Sequence, residues 1–314
     1  RITELYIDGK KIGRQESLCT PHIYDLNEYI GTGVHEMTIC VSNVGYKTKG
    51  GHLTSPDTQT NWNGITGRIE LIGYKNAHAE NVMLWCDIHN KTVRVTANIT
   101  GGKSGKAVIS AESFNSERSH TPEVQSFEYT NGKLDALYKM GDDCLLWSEH
   151  EPNLYKLKID IDGDVSEHII GMREFRTEGG KFTINGEKTF LRGKHDGMIF
   201  PKTAFAPTDL DEWLRVMKIS KSYGMNHYRY HTCCPPESAF IAADMLGIYM
   251  EPQLPFWGTI TEEGEENHNQ EEQDFLVEEG FNMLRYFGNH PSYCMMSMGN
   301  ELWGSKKILN DIIG

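Results

Sequence analysis

The stretch Asn289–Glu301, NHPSYCMMSMGNE, decides how this chain is read. A short apolar run, Tyr293 to Met298, passes straight into Gly299-Asn300-Glu301. Bounded by His290-Pro291 on one side and Gly299 on the other, the run predicts a buried strand. Ending a core strand on an adjacent amide and carboxylate makes little sense for packing alone. It does suit the floor of a catalytic site.

The residues before this stretch alternate between strand and helix signals. The segment 181–193, KFTINGEKTFLRG, predicts a hairpin turning at Asn185-Gly186. In 207–224, PTDLDEWLRVMKISKSYG, Thr208 can cap a helix on which Leu210, Trp213, Leu214 and Met217 share one face. A strand over MNHYRYH (225–231) follows, then a helix opened by Pro235-Pro236, then a strand over IYMEPQLP (248–255). A long helix over 271–287 carries Leu276, Met283, Leu284 and Phe287 on one side and stops at Gly288. Strand–helix–strand alternation means parallel pairing, so residues 179–314 are expected to form the first half of an α/β (TIM) barrel. The acidic segment 261–274, TEEGEENHNQEEQD, reads as a solvated loop, or as a rim that repels acidic ligands.

The first 180 residues are rich in strand signals. ELYIDGKKIG (4–13) alternates apolar and polar residues and turns at Asp8-Gly9; HEMTICVSN (35–43) and GRIELIGY (67–74) are further predicted strands. A polar segment containing Gly50-Gly51 and Trp62 separates them. Residues 1–74 are too few for two full sheets and predict a partial jelly roll. From residue 81 a regular series, NVMLWCDIHN, TVRVTANIT, AVISAES, EVQSFEYT and LYKLKIDI, is punctuated by Gly101-Gly102 and Asn131-Gly132. That rhythm predicts an immunoglobulin-like β-sandwich over 75–178, closed by Gly179-Gly180.

Composition narrows the functional classes. A length of 314 residues fits two or three domains. The net charge of -13 argues against a nucleic-acid partner, because phosphates call for Lys and Arg. No apolar run approaches the ~18 residues that cross a bilayer, so no membrane partner is expected. The seven cysteines form no CxxC pair, and Cys233-Cys234 are adjacent, which suits free, buried thiols rather than disulfides or zinc. Residue 1 is Arg within strand-like sequence, so no signal peptide is expected among these residues.

The barrel reading brings the chemistry to one end, because each parallel strand aims its C-terminus at the mouth. Four segments close on functional side chains: Arg192 with His195-Asp196, Arg229 with His231, Glu251 with Gln253, and Asn300 with Glu301. Singly, each has a structural alternative. Arg192 can pair a buried acid, His231 can be a core histidine, and Glu251 can close an ion pair. Their joint arrival at one end favours a site.

These phrases resemble family 2 of the glycoside hydrolases, the β-galactosidases, β-glucuronidases and β-mannosidases. LYIDGKKIG, IYDLNEYIGTG and NWNGITGRIEL resemble its sugar-binding jelly roll. EPNLYKLKIDI with GMREFRTEGGKFTINGEKTFLRG resembles its sandwich-to-barrel junction, and YGMNHYRYH, AADMLGIYMEPQLP and GNHPSYCMMSMGNE resemble its first barrel strands. The resemblance implies a retaining glycosidase acting on β-linked oligo- or polysaccharides, with Glu301 as general acid/base and Asn300 bonding the sugar 2-hydroxyl. A protonated carboxyl beside the leaving oxygen, with a second carboxylate ~5 Å away, is what that reaction needs. His195, Asp196, Arg229 and His231 are the expected hydroxyl or carboxylate contacts. Trp257 and Trp303 are the aromatic walls, with packing beneath the loops as their alternative.

Three features depart from the family. One residue rather than two separates Arg229 from His231, Gln253 stands where a Glu is common, and KHDGMIFP (194–201) differs from the His-rich version. No catalytic metal and no cofactor are therefore expected. The resemblance also implies that the chain is truncated at both ends, with the nucleophile beyond Gly314. The 314 residues alone are then expected to be inactive and aggregation-prone. Homo-oligomerisation and a periplasmic or secreted location are expectations for the full-length protein. Two other readings remain. One is a non-catalytic carbohydrate-binding protein using Trp62, Trp85 and Trp147. The other is a metalloenzyme using His195, Asp196, His231 and Glu251.

Overall fold

A computed structural model describes residues 1–49, 51–55 and 64–313. Gly50 and Trp62, the latter a predicted stacking platform, lie outside the described residues.

Strands β1 (Ile2–Ile7), β2 (Lys10–Glu16) and β3 (Met37–Ser42) form an antiparallel sheet in the order β2-β1-β3. Its hairpin turns at Asp8 and Gly9, with φ of 50° and 78°, the left-handed pair that a tight two-residue turn demands. The predicted strand over 67–74 does not form. Those residues join none of the described sheets, and Ile69, Leu71 and Ile72 are exposed. Strand propensity is expressed only where a neighbour takes up the backbone hydrogen bonds.

Seven strands follow: β4 (His78–Asp87), β5 (Thr92–Thr100), β6 (Ser104–Ser113), β7 (Gln125–Thr130), β8 (Lys133–Lys139), β9 (Tyr155–Ile161) and β10 (Asp164–Ile170). They are antiparallel in the order β10-β9-β6-β7-β8-β5-β4. Only Thr130 and Lys133 pair between β7 and β8, so the sheet folds over there and β4 returns against β10. The result is a β-sandwich. Its core follows the two-residue period of strands: Leu134, Ala136 and Tyr138 of β8 meet Tyr155, Leu157, Ile159 and Ile161 of β9, all buried. Burial of each leucine or isoleucine among them is worth about 1.5–3 kcal/mol. Trp147 is fully buried and its Nε1 donates to the Asp244 carbonyl at 2.8 Å, so it is no sugar platform; Trp85 is exposed on β4.

Gly179-Gly180, read as a boundary, instead turns β11 (Phe175–Glu178) into β12 (Lys181–Ile184), and β12 and β13 (Glu187–Thr189) make the expected hairpin at Asn185-Gly186. Beyond them, β14 (Gly193–Asp196), α1 (Leu210–Ser222), β15 (His227–Tyr230), α2 (Glu237–Leu246) and β16 (Tyr249–Glu251) alternate, and the three strands are parallel in sequence order. The α1 cap is Asp209, whose carboxylate accepts from the Glu212 amide at 2.9 Å, and not Thr208. Strand β17 (Trp257–Ile260), helix α3 (Gln270–Phe287), strand β18 (Asn300–Gly304) and helix α4 (Lys306–Ile313) complete the order, with β17 and β18 parallel. On α3, Leu276, Met283 and Phe287 are buried, while Leu284 lies outside the core.

The predicted strand Tyr293–Met298 runs parallel to β16 but makes only isolated bridges, Met250 to Tyr293 and Gln253 to Ser297. Met250 and Leu254 donate to the carbonyls of Ser292 and Ser297. Pro252 between them has no N–H, and the ladder is interrupted there. Asn300 and Glu301 consequently open β18 instead of closing a buried strand.

Alternation divides the parallel strands. Tyr228, Tyr230 and Met250 pack with Trp213, Met217 and Phe240 of the helices, leaving the opposite face for His195, Arg229 and Glu251. Among the described residues no helix is long and apolar enough to cross a membrane. All seven cysteines are free, but only Cys233 and Cys234 are buried and Cys40 is exposed.

Candidate active site

His195, Arg229 and Glu251 stand in one register row across β14, β15 and β16. Arg229 is the hub. Its Nη2 donates to Asn300 Oδ1 at 2.9 Å, and its Nε lies 3.9 Å from Glu251 Oε1. Glu251 Oε2 is also 3.2 Å from His227 Nε2, outside hydrogen-bonding geometry. Gly193 makes room for this packing, since a Cβ there would sit 2.7 Å from His227 Nδ1.

Glu301 lies at the end of a tightly constrained turn. Gly299 (φ 133°) passes so near Phe256 that a Cβ would fall 2.3 Å from its carbonyl oxygen, and Asn300 N donates to that oxygen at 3.0 Å. Glu301 itself has φ of 46°, unfavourable for a residue with a Cβ. Its carboxylate is exposed, and Oε2 accepts from Trp257 Nε1 at 3.0 Å.

An aromatic cluster flanks this pair. The His231 ring centre lies 5.1 Å from that of Trp257, 4.9 Å from His195 and 4.6 Å from His52. Burial, reinforced by His52, His195 and Arg229, lowers the His231 pKa to about 4. Burial and then His195 also lower that of His52. Both rings are neutral at pH 7, able to donate and accept hydrogen bonds without carrying charge.

The structure thus brings together Glu301, Asn300, Arg229, His231, His195 and Trp257. It does not bring in Asp196. That residue is on the helix-facing side, 5% exposed, with Oδ2 accepting from Lys194 Nζ at 2.9 Å and Oδ1 from the Met198 amide at 2.7 Å. Consecutive strand residues point to opposite faces, so His195 and Asp196 cannot both reach the cleft. The four residues of the metalloenzyme reading therefore do not converge, and no cluster of three or more His, Cys, Asp or Glu suited to a metal exists among the described residues. Arg192 follows its structural alternative, bonding Glu149 Oε2 at 2.8 Å. Trp303 is 71% exposed, opposite Thr259 on β17. Sequence reasoning missed His52 and His227. His52 had no detectable signal, while His227 sits two residues before Arg229 and so on the same strand face.

Residues 77–173 match the model of the family described as glycosyl hydrolases family 2. A β-galactosidase of Leuconostoc mesenteroides is 23% identical over 95% of this chain and 30% of its own length. A protein named putative β-glucuronidase from Formosa agariphila is 23% identical over 96% of this chain and 36% of its own. Among solved structures, a Parabacteroides merdae β-glucuronidase aligns with a TM-score of 0.74 at 17% identity, covering 100% of this chain and 42% of that one. A family 2 β-galacturonidase of Eisenbergiella tayi aligns with a TM-score of 0.76 at 19% identity, covering 99% and 56%. The chain thus spans about a third of the length of these curated relatives. The family 2 glycosyl hydrolase match is confined to the sandwich segment 77–173, while proteins named β-galactosidase and β-glucuronidase are similar to the chain along almost its entire sequence.

Proposed function

We propose that this chain carries the acid/base half of a retaining β-glycosidase that removes terminal sugars from β-linked oligo- or polysaccharides. The proposal divides it into a partial jelly-roll unit (1–74), an immunoglobulin-like sandwich (75–178) and the first half of an α/β barrel (179–314). The parallel order β14-β15-β16, with helices in the crossovers, supports the last of these.

Glu301 is the general acid/base. It protonates the glycosidic oxygen as the bond breaks, then deprotonates the water that releases the sugar. Glu301 Oε1 has no protein partner among the described residues and is available for that transfer. Asn300 binds the sugar 2-hydroxyl. Because Arg229 donates to Asn300 Oδ1, the amide NH2 is turned the other way, toward a hydroxyl acceptor. Neutral His231 contacts a further hydroxyl, as does His195, and Trp257 and Trp303 form walls. Glu251 is held between Arg229 and His227 and serves to fix Arg229. The nucleophilic carboxylate is supplied from outside these 314 residues.

The observation that carries the reading is the linked set Arg229–Asn300 and Trp257–Glu301, two fixed bonds at the mouth of a parallel sheet. Replacing Glu301 by Gln in the full-length polypeptide should lower hydrolysis of an alkyl β-glycoside by about 10²–10⁴-fold while leaving monosaccharide binding intact. Unchanged hydrolysis would rule the assignment out. The non-catalytic sugar-binding reading is not favoured: Trp147 is core, and Trp85, though exposed, stands on β4 of the sandwich with no hydrogen bond or ring contact to the candidate site among the described residues.

A further inference from the structure

The cluster around His231 includes a residue from a distant part of the chain. His52 follows Gly51 in the N-terminal β-rich third, yet its ring lies edge-on to His231. The loop that carries it is firmly seated. Thr48, fully buried, donates from Oγ1 to the Pro255 carbonyl at 3.1 Å. The Lys49 amide donates to Glu272 Oε1 at 3.0 Å, and the His52 amide donates to Thr232 Oγ1 at 2.7 Å. Gly51 packs so close to Pro255 that a Cβ would lie 2.9 Å from its carbonyl carbon and oxygen. Leu53 is buried in the core shared with the helices.

The seat itself is built from buried polar groups. Thr232 is fully buried at φ 53°, and its amide donates to the side-chain oxygen of Gln253, also fully buried, at 2.9 Å. Strain and a buried polar relay at one point indicate a position fixed for function more than for packing. Every anchor is a backbone group, a threonine, a glycine or a leucine. The imidazole of His52 is not among them. Neither of its ring nitrogens has a hydrogen-bond partner among the described residues, and the ring is only half-buried, beside Gly197, where a Cβ would lie 3.2 Å away.

We propose that His52 is a substrate-binding residue of this cleft, hydrogen-bonding a sugar hydroxyl. The inference rests on the glycosidase reading above. A neutral imidazole offers one N–H and one lone pair, which matches a hydroxyl group, itself both donor and acceptor. Its lowered pKa leaves no positive charge for an anion at neutral pH.

The test compares wild type, H52F, which keeps a flat ring without nitrogens, and H52Q, which restores a donor and an acceptor. Each is made in the full-length polypeptide and assayed on nitrophenyl β-galactoside, β-glucuronide and β-mannoside and on the monodeoxy forms of the best of them. We expect H52F to raise KM about tenfold, the loss of one hydrogen bond. We also expect partial recovery in H52Q, no change in Tm, and one deoxy substrate on which wild type and H52F are equal. Wild-type kinetics in H52F, or a loss equal on every deoxy substrate, overturns the inference alone. A wild type that hydrolyses none of the glycosides overturns the glycosidase reading and this inference with it.

Discussion

Trp257 donates its indole N–H to Glu301 Oε2 at 3.0 Å, and the same ring stands 5.1 Å from His231. One side chain therefore both orients the proposed acid and walls the imidazole cluster. Trp257→Phe keeps the wall and removes the donor. We expect kcat to fall about tenfold, equivalent to one lost hydrogen bond, with KM and Tm nearly unchanged. A rise in KM alone would make Trp257 a binding wall only.

Arg229 orients Asn300 through a directed guanidinium hydrogen bond while facing Glu251. A lysine keeps the charge but not the planar fork. Arg229→Lys should therefore lose about as much kcat/KM as Arg229→Met, at least tenfold in each case. Near-normal activity in the lysine variant would show that charge alone suffices.

Glu279 of α3 is buried, and Oε1 accepts from Ser17 Oγ at 3.0 Å and from the amides of Leu18 and Cys19 at 2.8 Å each. It joins the first sheet to the helices. Glu279→Ala strands three donors and should cost about 2–3 kcal/mol, read by urea denaturation. Glu279→Gln retains an acceptor oxygen and should cost less. Equal losses would contradict this account.

His290 is held by Asp244 Oδ2 at 2.6 Å. Burial disfavours its charge, but the Asp244 carboxylate outweighs burial and the pKa is raised above 6.5. The folded state therefore binds the proton more tightly than the unfolded chain. The pair's contribution is complete below pH 6.5 and declines as pH rises through the raised value. The Tm gap between wild type and His290→Asn should be widest at pH 5–6 and shrink on the alkaline side. A gap that grows with pH would contradict the sign.

Much of the α/β part was legible because helix periodicity and caps are local. Helices over Leu210–Ser222, Glu237–Leu246 and Gln270–Phe287 all follow from apolar spacing bounded by Pro or Gly. Strands were legible only where a partner exists. Residues 67–74 have the composition of a strand but no neighbour in the described sheets, and Pro252 breaks the ladder that Tyr293–Met298 would have joined. At the proposed site, Arg229 lies on a strand that apolar alternation marks, whereas Asn300 and Glu301 open β18 and do not close the strand expected over Tyr293–Met298. Asp196 lies away from the cleft because strand alternation sends it opposite to His195, which residue order alone does not reveal. His52 was invisible, since only tertiary docking on Pro255 and Thr232 brings it to His231.

The assignment of Glu301 is tested most directly by chemical rescue. In the full-length polypeptide, Glu301→Ala should cleave a dinitrophenyl β-glycoside to a glycosyl-enzyme that then stalls for lack of a base. Azide, which needs no base, should speed turnover and yield the β-glycosyl azide. Turnover indifferent to azide, or an azide product of inverted configuration, would contradict the account.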